Sequence, residues 1–89
     1  MTKTIVVTGS TRGIGFGLAH EFLQRGCRVV VNGRSQSAVD QAMSDLAGRH
    51  GADRVGGFPA DMTVYEQVQT LWDQSIKRFG CIDIWINNA

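Results

Sequence analysis

With 89 residues, 43% of them apolar and 19% charged, the chain has room for one small domain and the composition of a globular protein rather than a disordered one. A net charge of +1 excludes a general electrostatic pull on nucleic acid or on acidic membranes. No apolar run approaches the roughly 20 residues needed to span a bilayer. Met1-Thr2-Lys3-Thr4 has no signal-peptide layout, so a cytosolic (cytoplasmic) protein is expected.

Residues Thr4 to Thr8, centred on Ile5-Val6-Val7, read as a first strand buried on both faces. From Gly13 to Arg25, Ile14, Leu18 and Phe22, with Ala19 and Leu23 beside them, give a helical apolar stripe. Gly26 stands where a helix would stop in a left-handed conformation. Arg28 to Asn32, around Val29-Val30-Val31, is a second buried-type strand. Ser35 or Ser37 is placed to cap a helix whose apolar positions are Ala38, Val39, Ala42, Met43, Leu46 and Ala47. Gly48 and Gly51 bracket its end.

Arg54 to Pro59 is a weaker third strand, softened by Gly56-Gly57. Thr63-Val64-Tyr65-Glu66 fits a capping box for a third helix, which presents Val64, Val68, Leu71, Trp72, Ile76 and Phe79 and is closed by Gly80. Trp72 and Trp85 are expected in the core. Ile82 to Ile86 is a fourth strand. The alternation β-α-β-α-β-α-β with short connections predicts a three-layer α/β/α, Rossmann-like parallel sheet in the order 3-2-1-4. No linker or repeat divides it, so residues 1–89 form one unit.

Cys27 and Cys81 make no Cys-x-x-Cys pair and no metal cluster with His20 or His50, so reduced, space-filling thiols are expected. The two histidines read as solvated helix residues without a partner.

The chemistry concentrates in Thr8-Gly9-Ser10-Thr11-Arg12-Gly13-Ile14-Gly15, between the first strand and first helix. Its three glycines have separate tasks: to tighten the turn, to admit a diphosphate near the backbone, and to let helix and strand pack closely. The helix start adds unpaired N–H groups and the positive end of its dipole. Strand, glycine turn, helix and a second strand about 20 residues on make the context of a dinucleotide site.

The spacing Thr-Gly-x-x-x-Gly-x-Gly resembles the signature of the short-chain dehydrogenase/reductase family. Asp61 after the third strand, Phe79-Gly80-x-Ile82-Asp83, and Asn87-Asn88-Ala89 match that family in order and spacing along the full chain. The segment from Asp83 to Ala89 is similar to the equivalent one in the chlorophyll b reductase-like branch. By this resemblance, Gly9, Ser10, Thr11, Arg12, Gly13, Ile14 and Gly15 match the diphosphate loop. Asp61 and Met62 match adenine contacts. Asn87 and Ala89 match positions beside the adenosine ribose, although Asn87 holding the sheet together by hydrogen bonds is an equal reading. The parent enzyme would move a hydride between the nicotinamide and a carbonyl or alcohol carbon of a small molecule, and would be a homo-oligomer.

The end of the second strand selects the cofactor by charge. Asn32-Gly33-Arg34-Ser35 carries no carboxylate there. Arg34, joined by Ser35 and faced by Arg12 of the glycine loop, offers a guanidinium fork to a 2′-phosphate. NADP(H) is therefore expected in preference to NAD(H).

The family's Tyr-x-x-x-Lys and its nearby Ser are not found here. The single tyrosine, Tyr65, is followed four residues on by Gln69, and the only lysines are Lys3 and Lys77. No catalytic residue is assigned. The chain is expected to be the cofactor-binding part of a longer enzyme, with a binding module lacking turnover or an inactive truncated product as alternatives. Ile82 to Ile86 would then present an uncovered apolar edge, a route to edge-to-edge pairing in a small, marginal core. The isolated chain is expected to self-associate or partly unfold. A sharp monomer peak in light scattering together with a cooperative melt contradicts this.

Overall fold

The computed structural model describes residues 2–88. Four strands and three helices alternate: β1 (Thr4–Val7), α1 (Gly13–Gln24), β2 (Arg28–Gly33), α2 (Gln36–His50), β3 (Val55–Pro59), α3 (Tyr65–Phe79) and β4 (Ile84–Ile86). A single 3-10 turn, Ala52–Arg54, leads into β3. The strands form one sheet in the order β3-β2-β1-β4, every pair parallel, as the alternation requires.

The strand period of two sorts the apolar runs onto two faces. Ile5, Val7, Val29, Val31 and Val55 pack with Ala19 and Leu23 of α1 and with Val39, Ala42 and Leu46 of α2. Val6 and Val30 face the other way, onto Leu71 and Phe79 of α3. Full burial of each such side chain contributes about 1.5–3 kcal/mol before ordering costs.

Several local expectations shift. In α1 the buried row is Gly15, Ala19 and Leu23, while Ile14 is 78% exposed. A row opening with glycine and alanine brings the helix axis close to the sheet, and Ile14 is turned away. The capping box before α3 does not form: the cap position is Val64, with no side-chain bond. Thr63 instead gives its N–H (2.9 Å) and its hydroxyl (2.7 Å) to Asp61 Oδ1, a local turn that competes with the cap. Trp72 lies outside the core, 43% exposed and stacked on Trp85 with ring centroids 5.8 Å apart. Cys27 is half-buried, and Cys81 is exposed rather than space-filling.

The third strand is not soft. It runs in register with β2 from Val29↔Val55 to Gly33↔Pro59. A Cβ on Gly57 would lie 2.6 Å from both Cγ and Sδ of Met43, whose side chain would have to shift. Ser35 caps α2 by accepting from Ala38 N–H, and Gly80 closes α3 at φ +85°, both as expected.

His20 and His50 are partners. Nδ1 of the first and Nε2 of the second are 2.9 Å apart, between α1 and α2. Beside them Arg54 Nη1 donates to the carbonyls of Leu23 and Cys27, and its Nη2 to that of His50, joining the ends of both helices. Desolvation pushes the His50 pKa below its usual value, helped by His20, Arg54 and Arg49. A lowered folded pKa means that below the unfolded value of about 6.5 the unfolded chain binds more protons. The stability this contributes is present above about pH 6.5 and is lost as pH falls below it. His50→Gln is expected to flatten that slope in melting curves; an unchanged slope contradicts the lowered His50 pKa.

Candidate functional site

The three loops that leave the carboxyl ends of β1, β2 and β3 converge on one cleft of about 920 Å³. Its lining includes Gly9, Thr11 and Arg12 from the first loop, Asn32 to Ser35 from the second, and Asp61 to Thr63 from the third. In an open parallel sheet this is where ligands sit, because successive connections diverge at that end.

Asn32 holds the loops together. It is 1% exposed, the penultimate residue of β2 after three valines. Its Oδ1 accepts the Gly9 N–H at 3.2 Å, and its Nδ2 donates to Phe58 O at 3.2 Å and Ala60 O at 3.4 Å. Its own N–H donates to Ser10 Oγ at 2.9 Å, while its carbonyl accepts the Ser10 N–H at 2.8 Å. The Ser10 hydroxyl donates to Val7 O at 2.6 Å. That hydroxyl is therefore committed inward, and the Ser10 N–H is already given to the Asn32 carbonyl, so neither donor of Ser10 is left for the expected diphosphate contact.

The glycine loop takes the shape expected of a cradle. Gly9 and Gly13 have φ of +60° and +64°, a region costly for other residues. Gly15 is needed for close approach: a Cβ there would lie 2.5 Å from Gly9 O and from Asn88 Nδ2. Asn88 uses this space to donate from Nδ2 to Gly9 O at 3.1 Å, and its N–H donates to Thr8 Oγ1 at 2.9 Å. Arg12 precedes α1 without offering a side-chain cap, and the first turn has no acidic residue. No carboxylate in that turn offsets the positive end of the helix dipole.

Of the residues singled out from sequence, Gly9, Thr11, Arg12, Arg34, Ser35, Asp61 and Met62 come together in the cleft. Gly13, Ile14 and Gly15 belong to the loop and the helix start but are not among the residues lining the cleft. Asn87 is exposed, its Oδ1 taken by Trp85 Nε1 at 3.0 Å. The hydrogen-bonding part anticipated for Asn87 is played by Asn88. Ala89 lies outside the described residues. Asn32, Gln41 and Thr63 were not anticipated as site residues. The signal for Asn32 is an amide closing a strand buried on both faces, which must find partners.

Asp61 sits at the cleft margin. The Thr63 hydroxyl and then the Thr63 N–H hold its pKa below the usual carboxylate value, with a smaller part from Arg34. It is an acceptor at neutral pH. Among the described residues no group of three or more His, Cys, Asp or Glu side chains is placed to hold a metal.

The family model described as short chain dehydrogenase matches residues 3–89. The chain belongs to the short-chain dehydrogenase family. It is 42% identical over 85 residues, 96% of its length, to chlorophyll(ide) b reductase NOL, chloroplastic, of Oryza sativa subsp. japonica, of which those residues make up 25%. It is 36% identical to a 3alpha-hydroxysteroid dehydrogenase of Mediterraneibacter gnavus, over 98% of this chain and 35% of that one. The L-sorbose reductase of Gluconobacter frateurii, solved with NADPH and L-sorbose, superposes with a TM-score of 0.92 at 32% identity, over 99% of this chain and 33% of that one. The chain thus spans about a quarter to a third of these relatives, and the likeness to the chlorophyll b reductase branch agrees with the Asp83 to Ala89 segment.

Asn32→Ala is expected to leave the Gly9 N–H and the Phe58 and Ala60 carbonyls without their partner, costing about 1–3 kcal/mol. Urea unfolding measures this; a loss below about 0.5 kcal/mol contradicts the tie.

Proposed function

We propose that this chain forms the cofactor-binding part of an NADP(H)-dependent short-chain oxidoreductase acting on a carbonyl or alcohol. The observation that carries the reading is the pairing of Arg12 and Arg34 in one cleft with no carboxylate at the end of β2. A 2′-phosphate has a guanidinium from two different loops, and the end of β2 carries no carboxylate to repel it.

The diphosphate would lie against the backbone of residues 9–15 at the start of α1. Arg12, Arg34 and Ser35 would hold the 2′-phosphate. Asp61 and Met62 would flank the adenine, with the ionised Asp61 as acceptor for an amino group. Asn87 and Ala89 would stand beside the ribose. When bound, the cofactor would supply the hydride to a carbonyl or accept it from an alcohol. The residues described here bind and orient it, and none is assigned a catalytic part.

The relatives named for chlorophyll(ide) b, a 3alpha-hydroxysteroid and L-sorbose support a small-molecule substrate without choosing one. A homo-oligomeric whole protein remains part of the proposal. So does a cytosolic location, although the plant relatives are named chloroplastic. Among the described residues no helix is long and apolar enough to cross a membrane.

Arg34→Asp replaces an attractive charge with a repulsive one. It is expected to weaken NADPH binding by about tenfold or more, roughly 1.4 kcal/mol, and to shift preference toward NADH. Calorimetric titration with both cofactors measures it; an unchanged ratio of affinities overturns the clamp.

A further inference from the structure

Gly33 is a glycine for a reason that its backbone does not supply. Its φ is not in the left-handed region, so the main chain would accept any residue. It is the last residue of β2, held in register with Pro59, and its carbonyl accepts the Ala60 N–H at 2.9 Å. The obstacle to a side chain is Thr11. A Cβ on Gly33 would stand 2.6 Å from Thr11 Cγ2, 3.2 Å from its Oγ1 and 3.5 Å from its Cβ. Thr11 is β-branched and has few rotamers with which to make room. Both residues line the cleft, directly against each other.

Gly33 also lies about 20 residues beyond the glycine loop, where a dinucleotide fold places the carboxylate that takes ribose hydroxyls and rejects a 2′-phosphate. The space into which that carboxylate would project is filled by Thr11. We propose that Thr11 is a specificity-determining residue: its side chain excludes any side chain at position 33, and so preserves a site that admits a 2′-phosphate. This rests on the dinucleotide reading above. Positions 11 and 33 are coupled, so a carboxylate at 33 creates an NAD(H) site only when residue 11 shrinks with it. Thr11→Ala removes the 2.6 Å and 3.2 Å contacts and leaves the ordinary one of 3.5 Å.

Two measurements on the protein and its variants test this. In the first, melting temperatures are taken for Gly33→Ala, Thr11→Ala and the double variant. Gly33→Ala is expected to lower the midpoint by about 5 °C, and Thr11→Ala in the same chain to recover at least half of that loss. Equal losses in both backgrounds overturn the coupling. In the second, NADPH and NADH are titrated into the wild type, Gly33→Asp and Thr11→Ala/Gly33→Asp. The double variant is expected to bind NADH about tenfold more tightly than Gly33→Asp does. Equal NADH affinities in those two variants overturn the specificity role. If the wild type binds neither cofactor, the dinucleotide reading and the specificity role fall together. The melting cycle then still decides whether Thr11 is what keeps residue 33 a glycine.

Discussion

The cleft depends on one buried amide. Asn32 receives the Gly9 N–H on one side and donates to the Phe58 and Ala60 carbonyls on the other, while its main chain exchanges hydrogen bonds with Ser10. Three loops, each following a different strand, are thereby fixed to one another at a single point. Loops at the ends of strands are otherwise the least restrained part of a parallel sheet, because ladder hydrogen bonds stop where the strands do. A carboxamide suits the position because it presents a donor and an acceptor in opposite directions without a charge to desolvate. Aspartate would offer only acceptors, and a hydrophobic residue would strand the polar groups already there.

From that fixed point the chemistry follows. Gly9 is pinned by Asn32 from one side and by Asn88 Nδ2 from the other, and Gly15 leaves room for the second contact. The turn thus has little freedom to collapse onto the helix start. Arg12 and Arg34 come from loops anchored to the same amide, so their guanidinium groups are delivered to one cleft though they lie 22 positions apart in sequence. Asp61 offers the opposite charge at the margin, kept ionised by Thr63. Arg34 also acts on Asp61 through its charge, so cation and carboxylate share one cleft.

Much of this was legible in the residues, and what was legible was local. Apolar runs, glycine punctuation and the Ser35 cap act over a few positions, and each takes its expected form. The order of strands follows from alternation and handedness alone. The misses share a different character. The Asn32 ties reach Gly9 and Phe58, and His20 meets His50 at a separation of 30, so neither has a signature in a short window. The capping box failed because a nearer acceptor, Asp61, captured Thr63 first. The stripe of α1 was read by hydrophobicity, but packing distance chose the row led by Gly15 and Ala19. Trp72 lies toward the exposed side of α3, where Trp85 meets it.

The charged groups of the cleft say what kind of work it does. Those lining it are Arg12, Arg34 and Asp61. A guanidinium keeps its charge throughout the physiological range, and Asp61 is held ionised by hydrogen bonds to its charged form. General acid–base catalysis needs a group whose two protonation states are both accessible near the working pH. None of these three meets that condition. The same features that make them poor proton carriers make them steady sources of field, with two guanidinium groups against one carboxylate. Glycines that give up side chains and an amide that fixes the loops set the shape of the cleft around those charges.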